Sequence, residues 1–266
     1  MDISIINRYK MGEAYTKIAK SINKSPGYVK RILLKNNILI RNLSQSPEIY
    51  TYDKSYFKKI DTQEKAYLLG FLYADGNVCK NVMQICLHSK DIEVLQFFKK
   101  QLKSNHKIVN DRGYVRFRIG NEELIKDLNL LGLIERKTFK LTFPNENILP
   151  KNLINHFIRG YFDGDGCIKK GLDKKYHYTT WGFELISCRE FLEAVNKILS
   201  EKSGIKLANL HREKRRLNPI YYLRHGGTAP STIEKIYNYL YKDASFSLSR
   251  KKNKFISILS ILKNDI

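Results

Sequence analysis

Apolar residues recur at helical spacing in three short runs near the start of the chain: Ile3, Ile6, Tyr9, then Tyr15, Ile18, Ala19, Ile22, then Val29, Ile32, Leu33. The pattern predicts three helices over residues 2–42. Gly12 parts the first from the second; Asn23-Lys24 turns the chain before the third, where Ser25 is a good N-cap and Pro26 a good first helical residue. Residues 43–60, with Ser44, Ser46 and Pro47, read as a linker or arm. From about residue 61 the chain says one thing twice. An apolar helix ending in acid and glycine, Tyr67-Leu68-Leu69-Gly70-Phe71-Leu72-Tyr73-Ala74-Asp75-Gly76, returns as Phe157-Ile158-Arg159-Gly160-Tyr161-Phe162-Asp163-Gly164-Asp165-Gly166, an offset of 90 from Asp75 to Asp165. Strand-like 82–87 and 114–119 alternate with helical 91–102 and 122–131 in the first half. In the second, strand-like 179–186 and 220–224 alternate with helical 189–199 and 232–241. A duplicated α+β unit follows, organised as a helical domain over 1–44, a linker over 45–60 and two repeats over 61–150 and 151–266.

The doubled helices carry their own chemistry. Gly70 and Ala74 lie four apart, as do Gly160 and Gly164, so each helix has a strip of small residues along which two backbones can approach closely. Gly76 and Gly166 stand where a helix C-terminus favours positive φ, which leaves Asp75 and Asp165 at the negative ends of the helix dipoles. Pairing the helices brings these acids together, and a cation must offset them. Magnesium suits, since it binds through one or two carboxylates and takes further oxygens from water and phosphate. The second copy has Asp163 as well as Asp165, whereas the first has Tyr73 and Asp75, so only the last acid is shared. One copy alone is equally an ordinary buried helix with an Asp-Gly turn; two in register in a basic chain point to function.

Charge sets the partner. Across 266 residues, 48 Lys+Arg against 26 Asp+Glu leave +22, spread from Lys10 to Lys263, and nucleic acid is the commonest polyanion to neutralise such a surplus. Codon usage in an AT-rich genome raises lysine but does not suppress acids this far. The third helix presents Tyr28, Lys30 and Arg31, and with the helix before it resembles the helix-turn-helix domains of recombinases and regulators, whose last helix enters the major groove; a three-helix bundle that packs or binds protein has the same pattern. Cys79, Cys86, Cys167 and Cys188 form no CxxC pair and read as reduced thiols, and His88, His106, His156, His177, His211 and His225 lack nuclease spacing. With no signal-peptide core and no run of ~20 apolar residues, the expectation is a soluble intracellular protein.

The two acid-ended helices resemble the motif that names the LAGLIDADG homing endonucleases, and the resemblance covers nearly all of residues 61–266. It implies a single-chain monomer of two αββαββα halves related by a pseudo-two-fold, with curved antiparallel sheets over DNA, to which Arg116, Arg118 and Arg224 are suited. It implies that Asp75 and Asp165 are the catalytic metal ligands, and that Lys137 and Lys251, in the basic clusters Arg136-Lys137-Thr138 and Arg250-Lys251-Lys252, lie near the cleaved phosphates; a simple phosphate contact or a solvated lysine remains open for each. Ser89 and Ser187 follow equivalent strands. The implied activity is a magnesium-dependent, site-specific double-strand break with short 3′ overhangs. Alternatives of the same descent are a non-cleaving regulator and an RNA maturase; regulators can lose the acids, which are present here. The gene's setting, in an intron, an intein or standing free, is left open, the ends carrying no intein splicing residues.

Overall fold

Three helices, α1 (Asp2–Lys10), α2 (Tyr15–Ser21) and α3 (Pro26–Lys35), make up the first of two units, Met1–Thr51 and Tyr52–Ile266, of the computed structural model, which describes residues 2–40, 50–173, 178–214, 218–227 and 230–264. Positive φ at Gly12 and Asn23 turns the chain between helices, and the Ser25 hydroxyl accepts the Tyr28 N–H at 3.2 Å, capping α3. Ile5, Tyr9, Ile18, Ala19, Val29, Ile32 and Leu33 form this unit's core. Ile3 is 75% exposed, so α1 buries Ile5 and Tyr9, four apart, rather than the series beginning at Ile3. Ser44, Ser46 and Pro47 lie outside the described residues.

The expected linker ends earlier than residue 60. Tyr56, Phe57 and Ile60 are buried in the core of the second unit, and the Asp53 N–H donates to the Leu102 carbonyl at 2.8 Å. Three large apolar side chains within five positions are drawn from water despite their polar neighbours.

The second unit runs α4 (Gln63–Asp75), β1 (Gly76–Cys79), β2 (Val82–His88), α5 (Ile92–Gln101), β3 (Val109–Asp111), β4 (Tyr114–Gly120) and α6 (Glu122–Leu130), then repeats as α7 (Ile154–Asp165), β5 (Cys167–Asp173), β6 (Tyr178–Ser187), α8 (Arg189–Ser203), β7 (Leu210–Arg212), β8 (Tyr221–Gly227) and α9 (Pro230–Tyr241), with α10 (Ser249–Asn264) added. This is a mixed α+β architecture with two antiparallel sheets of order β1-β2-β4-β3 and β5-β6-β8-β7. Alternation fixes the faces: along β4, Val115, Phe117 and Ile119 are buried while Tyr114, Arg116 and Arg118 are exposed. α4 buries every residue from Ala66 to Tyr73 and α7 every residue from His156 to Asp163, as central helices must. The first turn of α10 ties the halves together: Ser249 donates to Glu93, and Arg250 grips Asp91 through two bonds of 2.5 and 2.7 Å. Among the described residues no helix is long and apolar enough to cross a membrane.

Candidate active site

The α4–α7 contact rests on the absence of side chains. A Cβ at Gly70 would fall 2.8 Å from the Phe157 carbonyl carbon, and one at Gly160 would fall 2.9 Å from both the Phe71 nitrogen and the Tyr67 carbonyl carbon. These are backbone atoms, which cannot yield as a flexible side chain can. One turn on, a Cβ at Gly164 would overlap that of Ala74 and lie 3.1 Å from Asp75 Oδ2. The helices therefore run in the same direction, and Gly70, Ala74, Gly160 and Gly164 line their crossing. Asp75 and Asp165, the last residues of the two helices, therefore stand at the same end of the seam.

Gly76 and Gly166 are present for a different reason from the one expected. Both are extended, with φ of −71° and −80°. A Cβ at Gly76 would meet Leu72 Cα at 2.8 Å, and one at Gly166 would meet the Phe162 ring at 2.6 Å. Crowding by the preceding helical turn, not a left-handed backbone, excludes a side chain.

The two lysines cap these helix ends. Lys137 Nζ donates to the carbonyls of Tyr73 at 2.6 Å and Ala74 at 2.7 Å. Lys251, in the first turn of α10, donates to Phe162 at 2.6 Å, Gly164 at 2.9 Å and Gly166 at 2.6 Å. Cations at a helix C-terminus satisfy orphan carbonyls and oppose the dipole. The charges also cross the seam, the Lys137 ammonium being the foremost influence favouring ionised Asp165 and the Lys251 ammonium the foremost favouring ionised Asp75. Burial nevertheless dominates. It pushes Asp75 up to about 6, with help from Asp165, raises Asp165, lowers Lys137 and brings Lys251 down to about 8. A cavity of about 180 Å³ opens here, bordered by Lys137, Thr138, Tyr161, Asp165 and Ser187. Ser187, the buried last residue of β6, faces it, whereas Ser89 lies beyond β2 in a 3-10 turn.

Asp163, the acid that only the second motif copy carries, holds the site together. Its buried carboxylate accepts from Tyr67 at 2.9 Å, Tyr241 at 2.5 Å and the Leu248 N–H at 2.7 Å, fastening α7 to α4, to α9 and to the start of α10, where Lys251 stands. Tyr73 performs the corresponding fastening in the first half: its hydroxyl donates to the Leu131 carbonyl at 2.6 Å, on the segment leading to Lys137. Two chemically different residues at one motif position thus serve the same end. The available signal was that each carries a polar group inside an apolar helix, which must find a buried partner.

Elsewhere, Lys30 and Arg31 are exposed and Tyr28 half-buried on α3. Arg116 and Arg118 project from the open face of the first sheet. Arg224 projects from the second but is already engaged, its guanidinium donating through Nε and Nη2 to Glu184.

Residues 152–236 match the family model described as a LAGLIDADG-like domain. The fold is similar to that of the I-LtrWI LAGLIDADG homing endonuclease bound to target DNA (13% identity, TM-score 0.52, covering 79% of this chain and 92% of that one) and the LAGLIDADG meganuclease I-AabMI bound to uncleaved DNA (19%, 0.51, 75% and 91%). It is likewise similar to I-SmaMI bound to uncleaved DNA in the presence of calcium ions (16%, 0.52, 77% and 93%). A curated relative, "Probable translation initiation factor IF-2" of Methanocaldococcus jannaschii, is 28% identical over 185 residues, 63% of this chain, which spans 14% of that protein's length.

Proposed function

We propose, from the premise that this chain carries a LAGLIDADG-like domain on the fold of the LAGLIDADG homing endonucleases, that it is a site-specific DNA endonuclease making a magnesium-dependent double-strand break. The observation that carries the reading is the pair Asp75 and Asp165, brought to one end of a seam only small residues permit, each at a helix terminus capped by a lysine, Lys137 half-buried and Lys251 buried.

The donor set fits a hard divalent ion. Two carboxylates, each pushed upward by burial and one by the other's charge, gain from a cation between them. Two carboxylates are what such an ion takes from a protein when water and phosphate oxygens complete its shell. Magnesium held there would polarise the phosphate, favour ionisation of an attacking water and stabilise the departing oxygen. The protein's part is placement: Asp75 and Asp165, one from each helix end, would hold the ion, while Lys137 and Lys251, fixed by backbone carbonyls, keep positive charge beside the carboxylates where a phosphate would gather negative charge. The open sheet faces, with Arg116, Arg118 and Arg224, take the duplex; phosphate contacts position it and base contacts specify the site. The three-helix unit, through Tyr28, Lys30 and Arg31, is a second DNA reader, in helix-turn-helix manner.

Retention of both acids favours cleavage over a regulator that only binds. Incubation with a randomised duplex library plus magnesium, followed by sequencing of the ends, tests this. Cuts on both strands at a constant stagger within one recurring motif are expected, and enrichment of a bound motif with no cut ends would leave only the regulator.

A further inference from the structure

The two open sheet faces differ in kind. On the first, Arg116 and Arg118 stand opposite Cys86 and Gln84 with no acid in register. On the second, Glu184 of β6 stands opposite Arg224 of β8 and Cys167 of β5, its carboxylate almost wholly sunk in the sheet, 9% exposed, while the Arg224 side chain is 59% exposed. Both carboxylate oxygens are engaged: Lys169 donates to Oε1 at 2.7 Å, and Arg224 donates to Oε2 through Nε at 2.9 Å and through Nη2. Beside them the sheet lacks side chains. Gly182 pairs with Gly226, and Lys169 lies across from Gly182, so a hollow of about 480 Å³ opens beside Arg224, with glycine backbone as part of its lining.

An arginine free at the end of its stem adopts many orientations; one held along its Nε–Nη2 edge presents its remaining Nη edge in a single plane. That edge is a two-donor fork, and among base edges the matching two-acceptor fork is O6 and N7 of guanine in the major groove. Cytosine offers a donor there, adenine one acceptor beside a donor, and thymine a single acceptor beside a methyl group. The glycines leave room for a base edge to approach the sheet, and the buried Glu184, with both oxygens occupied, serves as anchor rather than reader.

We propose that Arg224, oriented by Glu184 over the glycine-lined hollow, is a specificity-determining residue that reads a guanine in the half-site under the second sheet, Glu184 acting as its positioning residue. Arg116 and Arg118, without such an anchor, supply contacts less selective among bases. The proposal rests on the reading of the open faces as the DNA-binding surface.

The test is selection of bound duplexes from a randomised library by the full chain with calcium in place of magnesium, for wild type, Glu184→Gln, Arg224→Lys and Arg116→Lys. A bidentate arginine–guanine pair discriminates by about 5- to 150-fold. Wild type should therefore yield at least one guanine position of that strength which flattens in Arg224→Lys and weakens in Glu184→Gln. Arg116→Lys should leave that position intact. Arg224→Lys alters an exposed side chain and keeps its charge, so it decides the matter even if Glu184→Gln folds poorly. An enriched motif with the same guanine positions in wild type and Arg224→Lys overturns the assignment while sparing the DNA-binding reading. Failure of wild type to enrich or retain any duplex overturns that reading, and the proposal with it.

Discussion

Replacing Gly160 by alanine sets two known effects against each other, and the seam decides the sign. Gly160 lies mid-helix in α7, where alanine is ordinarily the better residue by ~0.8–1 kcal/mol. Its Cβ would overlap the Tyr67 carbonyl oxygen and stand 2.9 Å from the Phe71 nitrogen, against a relaxed separation of about 3.5–4 Å, so α4 and α7 must part by about 1 Å or more. Overpacking of this kind costs ~1–3 kcal/mol, toward the upper end (~2–3 kcal/mol) where the obstacle is backbone, leaving a net loss of ~1–2 kcal/mol after the helix-propensity gain. For a unit of residues 52–266 that is a fall in Tm of roughly 2–8 °C. The same shift moves Asp165 relative to Asp75, and a misplacement of ~1 Å costs on the order of 100-fold in rate. Thermal unfolding followed by circular dichroism, with single-turnover cleavage on the same preparation, measures both. A variant as stable as wild type, or more so, would refute the close-packed seam.

Two further expectations concern the acids and the three-helix unit. Asp75 is raised from 3.8 to about 6, so in metal-free protein the folded state keeps a proton that the unfolded chain has lost between these values, and this group's contribution lowers stability as pH rises through that window. Asp75→Asn should accordingly gain up to ~3 kcal/mol over wild type above pH 6, and little at pH 4; urea unfolding with a chelator at pH 4 and pH 7 checks it, and equal stabilities at pH 7 would contradict the half-buried, charged carboxylate. Removal of residues 1–50 should leave the cut phosphates unchanged while weakening affinity and shortening the footprint at one end only, because a tethered second reader acts at high effective concentration. Footprinting and cleavage mapping on one long duplex decide this, and a moved cut position would contradict an active site confined to the second unit.

The sequence pattern was most legible where burial was total or strictly alternating. α4 and α7 are traced by apolar runs ending in Asp-Gly, and β2, β4 and β6 by alternation, to within a residue or two of Val82–His88, Tyr114–Gly120 and Tyr178–Ser187. The edge strand β3 escaped because all three residues are exposed and no contrast marks its faces. α10 escaped because its opening Ser249-Arg250-Lys251-Lys252-Asn253-Lys254 looks wholly polar, although Lys251 is only 5% exposed; the lysine is buried for the Phe162, Gly164 and Gly166 carbonyls, partners some 85 or more residues away. For the same reason the partners of Glu184 and Asp163 were invisible. Each depends on which distant donor meets a carboxylate, and a linear pattern does not record that.

The most direct measurement compares wild type, Asp75→Asn and Asp165→Asn for magnesium-dependent cleavage and for binding on the same target duplex. If the two carboxylates are the metal ligands and not phosphate contacts, each variant loses double-strand cleavage while its affinity in a gel shift stays close to that of wild type. Full double-strand cutting by both variants would contradict the assignment of the active site to the paired helix ends.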